Sequence, residues 1–382
     1  MKKVIAAISL GAMIVFASCS KSGNVKEETN DSTNDFSSDQ PAKKGVITAA
    51  EWNDQNNWTF WTNLMQKSEF SDKPEYWSFY NTNRIAVIVK NDKGEILSNV
   101  FVTLKKGNDP VFTCRTDNFG KAELWPNLFT NNKNIDLSEY SLDLNKGEKV
   151  EKNIKSYNDG VNEITLSSKT QGDEIINVSF VVDATGSMGD EINYLKEELN
   201  DVLNRVKNEN PNSAVSSSAV FYRDNGDEYV TRVSPFTEDV QTTISFINDQ
   251  KADGGGDVPE AVHTALDKAI NELQWTDNAK TKIVFLLLDA PAHHETDVIH
   301  DLQNLVSKAC LKGIKIIPIV ASGADKNAEF LMRFMAISTN GTYVFITDDS
   351  GVGNKHMEAS VGNYQVEYLN NLMARLINYY AR

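Results

Sequence analysis

Three oxygen-bearing side chains stand at alternate positions in one short segment, Asp183-Ala184-Thr185-Gly186-Ser187. Alternate residues of an extended chain project to the same side. One carboxylate and two hydroxyls can therefore converge on a single point. That donor set suits a small hard cation, which takes oxygen ligands and retains several waters. Mg²⁺ fits this chemistry, with Mn²⁺ and Ca²⁺ as alternatives. Convergence needs rigid support on both sides. The apolar run from Ile175 to Val182 reads as a buried strand leading in, and Ile192, Leu195, Leu199, Val202 and Val206 recur at helical spacing leading out. The three donors thus occupy a tight strand-to-helix turn.

Two later segments have the same character. Leu286-Leu287-Leu288-Asp289 places an acid at the end of an apolar strand, and Gly254-Gly255-Gly256-Asp257 forms a glycine loop ahead of a helix. From Glu174 onward strands and helices alternate, which implies a parallel sheet covered on both faces. Strands are expected near 175–183, 217–223, 283–289, 314–320 and 342–346, with an antiparallel edge near 228–234. Helices are expected near 188–207, 238–249, 258–273, 297–311, 326–337 and 363–380. In such sheets ligands bind beyond the carboxyl ends of the strands, where Asp183 and Asp289 both fall.

The three segments, in this order, resemble the metal-ion-dependent adhesion site of von Willebrand factor A domains, whose first motif is Asp-x-Ser/Thr-x-Ser. The resemblance runs from about Glu174 to the C-terminus. It implies a doubly wound, mostly parallel α/β fold and a divalent ion held by Asp183, Thr185, Ser187, Asp289 and Asp257. It also implies a protein partner whose carboxylate completes the coordination. One position departs from the pattern, because the family usually has threonine where this chain has Asp257. Asp257 is either a ligand or the N-cap of the following helix, with Glu260 three residues on as the reciprocal member of a capping box. The two roles can coexist. A further carboxylate would leave the site negative, which weighs on capture of an acidic ligand more than on metal binding.

Other polar residues compete for roles at the same rim. Asp224, in Tyr222-Arg223-Asp224, would accept from a metal-bound water or from Arg223, or else face solvent as a turn acid. His293 and His294 are adjacent, but zinc takes three or four ligands in consistent geometry and nothing else is spaced for it. They read as an exposed rim pair. Gly351-Val352-Gly353-Asn354 lacks the lysine and hydroxyl of a phosphate loop, and no Gly-x-Ser-x-Gly nucleophile elbow occurs. No base with a defined partner can be named, so the chain reads as a binding protein, not an enzyme.

The chain has 382 residues and a formal net charge of −15. That balance argues against nucleic acid, which needs basic surface. Lys2 and Lys3 precede an apolar run from Val4 to Ala17, the pattern of a secretory signal peptide over 1–18. The small residues before Cys19 resemble a bacterial lipobox, with Phe16 where leucine is usual. That resemblance implies lipidation of Cys19 and anchoring to a membrane of the bacterial cell envelope, with the outer one expected, without a transmembrane helix. Residues 19–45 are polar and read as a disordered tether, which reaches roughly 30 Å on average. Beyond Cys19 only Cys114 and Cys310 remain. They read as buried small hydrophobes in separate domains.

Residues 46–82 read as an aromatic-rich helical arm, opened by a capping box at Thr48-Ala49-Ala50-Glu51. Trp58 and Trp61 within it either pack against the next domain or form an exposed platform for sugar. Residues 83–170 carry short strands separated by turns, including Asn91-Asp92-Lys93-Gly94 and Thr116-Asp117-Asn118-Phe119-Gly120. This is the pattern of a β-sandwich. It resembles the carboxypeptidase regulatory-like modules, which are immunoglobulin-like. Residues 171–382 then form the α/β domain. The combined expectation is a lipid-anchored adhesion or binding protein of the cell envelope. The alternative is a glycan-binding lipoprotein that uses the arm and keeps the metal for structure.

Overall fold

The first described residues feed straight into the sheet that carries the C-terminal domain. The computed structural model describes residues 44–168, 172–256, 258–352 and 357–382. The expected signal segment, almost all of the tether, Cys19 and Asp257 therefore lie outside the described residues. Thr48–Trp52 is a strand, β1, not the start of a helix. Thr48 and Glu51 satisfy the local rule for a capping box. β1 instead pairs antiparallel with a strand near residue 345, so backbone bonding to a distant partner overrides the local signal. Two short helices follow, α1 (Trp58–Leu64) and α2 (Lys73–Trp77).

The aromatic residues of this arm pack inward. Trp61 and Trp77 are buried, and so is Trp58. Trp61 stacks on Phe330 with ring centroids 6.0 Å apart, and its indole donates to Asn81. Arg84 lies 5.0 Å from the Trp58 ring and forms a two-point ion pair with Glu123. Neither Trp58 nor Trp61 presents a ring face to solvent, so the sugar platform expected there as an alternative does not form on these residues.

Residues 85–166 build two small sheets. One has β5 (Lys121–Leu124), β2 (Ile85–Asn91) and β8 (Asn162–Leu166), in that order. The other has β4 (Asp109–Arg115), β3 (Phe101–Lys106), β6 (Tyr140–Leu144) and β7 (Lys149–Glu151). Inward-facing Val87, Val89, Val102, Leu104, Leu142 and Ile164 are all buried, as alternation in a two-sheet module requires.

The C-terminal region follows the expected alternation. Its elements are β9 (Asp173–Asp183), α3 (Ile192–Glu209), β10 (Ala214–Tyr222), β11 (Thr231–Thr237), α4 (Val240–Asn248), α5 (Val262–Asp267), β12 (Ala279–Leu288), α6 (Thr296–Lys312), β13 (Lys315–Val320), α7 (Lys326–Ser338), β14 (Tyr343–Ile346), β15 (Val366–Tyr368) and α8 (Leu369–Tyr380). The sheet order is β11-β10-β9-β12-β13-β14-β1-β15. The strands from β10 to β14 are parallel neighbours, while β11, on β10, and β1 run antiparallel. Helix faces cover both sides of the sheet, so β9 and β12 are apolar almost throughout.

The small sheets dock at the amino ends of the large sheet's strands. Arg115 donates to the Leu311 and Asp277 carbonyls and pairs with the Asp277 carboxylate at 2.6 Å. Asp117 pairs with Lys315, the first residue of β13, at 3.2 Å. Cys114 and Cys310 are both buried free thiols facing this junction. The carboxyl ends of β9, β10 and β12 lie at the opposite rim.

Candidate metal centre

β9 ends on Asp183, which is fully buried. The chain turns there because Ala184 N–H donates to the Tyr222 carbonyl at 2.8 Å, tying the turn to the end of β10. Asp183 Oδ1 accepts from the Thr185 backbone N–H at 2.9 Å and from its hydroxyl at 2.7 Å. The Thr185 and Ser187 hydroxyls stand 3.1 Å apart. Asp289 directly follows β12, whose Leu287 is in register with Val182 of β9. Parallel pairing therefore sets the two acids at one rim. Hydrogen bonding from Ser187 reaches Asp289, so the first segment and the later acid meet as the sequence anticipates.

The glycine loop locks onto the first segment by backbone bonds. Gly186 N–H donates to the Gly254 carbonyl at 3.0 Å, and Asp253 N–H to the Ala184 carbonyl at 3.1 Å. Gly254 has φ +76°, and a Cβ there would fall 2.5 Å from the Asp227 carboxylate. Only glycine allows that approach. Asp227 Oδ2 in turn accepts from the Asp224 and Gly255 backbone N–H groups. Asp257 itself lies outside the described residues.

Glu260 departs from the sequence reading. The helix begins at Val262, two residues beyond it, and its N-cap position, Ala261, makes no side-chain cap bond. Glu260 is therefore not the reciprocal member of a capping box. Its N–H donates to the Pro291 carbonyl at 3.0 Å, and it bridges to Ala292. These contacts fasten it to the loop that Asp289 begins. The residue is 2% exposed, and Oε2 has no hydrogen-bond partner. The only sequence signal for this placement was an acid just after a glycine loop aimed at the rim.

Asp224 is also buried, and it pairs with His293 Nε2 at 2.7 Å. Arg223 turns away from it, donating to the Ala184 and Lys251 carbonyls. His294 stacks on Tyr76 of the arm, with ring centroids 3.6 Å apart. Each rim histidine is thus engaged by a neighbour within the protein.

The electrostatics of the cluster are unfavourable without a counter-charge. Asp183 Oδ2, Asp289 Oδ1 and Glu260 Oε2 are buried oxygens without hydrogen-bond partners. Burial, then the charge of Asp289, raises the Asp183 pKa to about 7 against the pull of the Thr185 hydrogen bonds. Burial raises Asp289 to about 6, opposed by Ser187. Burial and then Asp183 raise Glu260 to about 9. Carboxyls crowded out of water are relieved either by taking up protons or by a cation. Among the described residues, no three Asp, Glu, His or Cys side chains are grouped so as to hold an ion by themselves. A cation placed here would need the Thr185 and Ser187 hydroxyls and water beside the carboxylates, a donor set that fits a hard divalent ion.

Residues 177–355 match the sequence model of the von Willebrand factor A domain. A putative ariadne-like RING finger protein of Acanthamoeba polyphaga mimivirus is 32% identical over 184 residues, 44% of this chain and 18% of that protein. The alpha-protein kinase vwkA of Dictyostelium discoideum is 25% identical over 201 residues, 52% of this chain and 31% of the kinase. The chain thus spans less than a third of either relative. A solved structure of the conserved hypothetical protein BatB from Bacteroides thetaiotaomicron aligns with 54% of this chain and 98% of its own, at 12% identity and a TM-score of 0.38.

Proposed function

We propose that the von Willebrand factor A domain at residues 177–355 holds a divalent cation at the carboxyl rim of its sheet and uses it to bind a protein partner. Asp183, Thr185, Ser187 and Asp289 hold the ion, directly or through water, and Mg²⁺ is the first candidate, with Mn²⁺ and Ca²⁺ behind it. Asp257 keeps its place in the proposal as a further oxygen donor. Asp224 supports the rim through His293. The bound ion supplies a positive point for a partner's carboxylate. The protein's own part is to fix the donors at one rim of the sheet. The role in this proposal is binding, not catalysis.

The carrying observation is that Asp183 and Asp289 each keep a buried oxygen with no hydrogen-bond partner, while Thr185 bonds the first carboxyl and Ser187 the second. We extend the proposal to the cell envelope, with lipid on Cys19 and the segment after it as a tether. Among the described residues no helix is long and apolar enough to cross a membrane, and lipid anchoring does not call for one.

Isothermal titration of the chain with Mg²⁺ tests the metal reading. Wild-type protein is expected to bind, and Asp183→Ala to lose binding at least tenfold. Capture of envelope proteins should require Mg²⁺ and reverse with EDTA. Equal Mg²⁺ affinity in wild type and Asp183→Ala would defeat the reading.

A further inference from the structure

We propose that a cavity at the amino-end rim of the large sheet, opposite the metal centre, binds a tetrahedral oxyanion of the phosphate class between Lys282 and Lys312. The cavity has a volume of about 140 Å³, well above what one water requires. Both lysines line it, together with the Asn271 and Gln274 carboxamides and the Trp275 ring. Lys282 lies in β12 and is 3% exposed. Its ammonium donates to the Asp277 and Lys312 carbonyls. Lys312 ends α6, and its ammonium donates to the Ile270 carbonyl at 2.6 Å. An ammonium carries three donors, so one N–H is unspent on Lys282 and two on Lys312. The carbonyls fix both heads beside the cavity without cancelling their charge.

The charge around the cavity is one-sided. Among the described residues neither ammonium forms an ion pair with a carboxylate. Asp277, the acid whose charge reaches Lys282, is paired with Arg115 and its carboxylate is exposed. The charge of Arg115 falls on Lys282, that of Lys146 on Asp277 and that of Lys308 on Lys312. A cationic patch thus gathers here in a chain of net charge −15. Burial, then Arg115, lowers the Lys282 pKa to about 7, and burial lowers that of Lys312. A buried ammonium without a counter-charge is relieved by losing its proton or by meeting an anion. The cavity favours the anion. Its walls are polar, so it is filled by water or by a polar guest, and a guest with negative charge keeps both lysines protonated. A tetrahedral oxyanion offers enough oxygens for the three unspent lysine N–H groups and the carboxamides together. The volume admits one such group, so the ligand is a free oxyanion or the phosphate end of a molecule whose remainder stays outside.

Calorimetric titration of the full chain with inorganic phosphate and with sulfate tests this, at low salt and in EDTA so that the metal centre plays no part. Wild type, Lys282→Met, Lys312→Gln and Lys280→Gln are compared, with circular dichroism and melting to check that each is folded. Wild type should bind. Lys282→Met and Lys312→Gln should each bind about tenfold more weakly or worse, the scale of one lost hydrogen bond to a charged group. Lys312 is half-buried, so its variant carries the test should Lys282→Met not fold. Lys280 pairs with Glu174 and does not line the cavity, so Lys280→Gln should match wild type. Flotation with phosphatidylcholine vesicles, with and without phosphatidic acid, separates the sources. Binding to the acidic vesicles that both cavity variants lose would assign the phosphate to a lipid headgroup, and binding of inorganic phosphate alone to a free ion. No binding in either arm would overturn the inference. So would equal affinity in wild type and both cavity variants, or an equal loss in Lys280→Gln.

Discussion

Asp289 shows how one residue can serve the ion at the fold's expense. Its carboxyl is buried with one oxygen unpartnered, and burial raises its pKa to about 6. At pH 7 it is ionised in both folded and unfolded chains, but only the folded chain bears the cost. Asp289→Asn should therefore stabilise the protein in EDTA at pH 7 by about 2–3 kcal/mol. The same substitution should abolish most of the rise in Tm that millimolar Mg²⁺ gives wild type, since ligand stabilisation follows the affinity. Thermal melts of both proteins, with and without Mg²⁺, check this, and a variant no more stable in EDTA would show that the site carries no strain. Asp183, Thr185 and Ser187 were legible in the sequence because their convergence is local, set by alternation within five residues. Glu260 was not, because its orientation depends on a bond to Pro291 in a loop thirty residues later, and the local pattern favoured a cap.

The elements that support the site divide in the same way. β9, β12 and the helices between them declared themselves through apolar runs and helical spacing, since their neighbours are the next units of one repeating pattern. β1 stayed hidden, because Thr48 to Trp52 finds its partners in Tyr343 to Ile346 and Val366 to Tyr368, some three hundred residues away. The glycine loop sits between these cases. It was visible as a motif, but its reason is the approach of Asp227 to Gly254. Gly254→Ala should destabilise the protein by about 1–3 kcal/mol, combining an unfavourable φ with a clash against a carboxylate that already bonds two backbone N–H groups. Gly256→Ala, where a Cβ would meet nothing within 4 Å, should stay close to wild type. Urea unfolding of the two variants makes the comparison, and equal stabilities would mean that the loop is held by something other than this contact.

At the scale of the whole molecule, the sheet and the chain's linear domains do not coincide. The small sheets seat on the amino ends of β12 and β13 through Arg115 and Asp117, which leaves the opposite rim, with Asp183 and Asp289, clear of them. The N-terminal arm is woven in more deeply. β1 lies between β14 and β15 and, among the described residues, is the only strand bonded to β15. Asp54, just after β1, makes a two-point ion pair with the buried Arg333 of α7 at 2.6 and 2.8 Å. Removing residues 1–171 would strip β14 of one of its two neighbours, leave β15 unpaired and deprive a buried guanidinium of one carboxylate, a loss of several kcal/mol for a charge inside a core. It would also expose the aromatic surface that Trp61 covers on Phe330. A chain of residues 172–382 should therefore be insoluble or melt well below the chain of residues 44–382, which should unfold in one cooperative transition. Calorimetric scans of the two chains decide the matter. A shorter chain with the same Tm and the same Mg²⁺ affinity would show that the rim is organised by the α/β layers alone, with the N-terminal strand added to a sheet already complete.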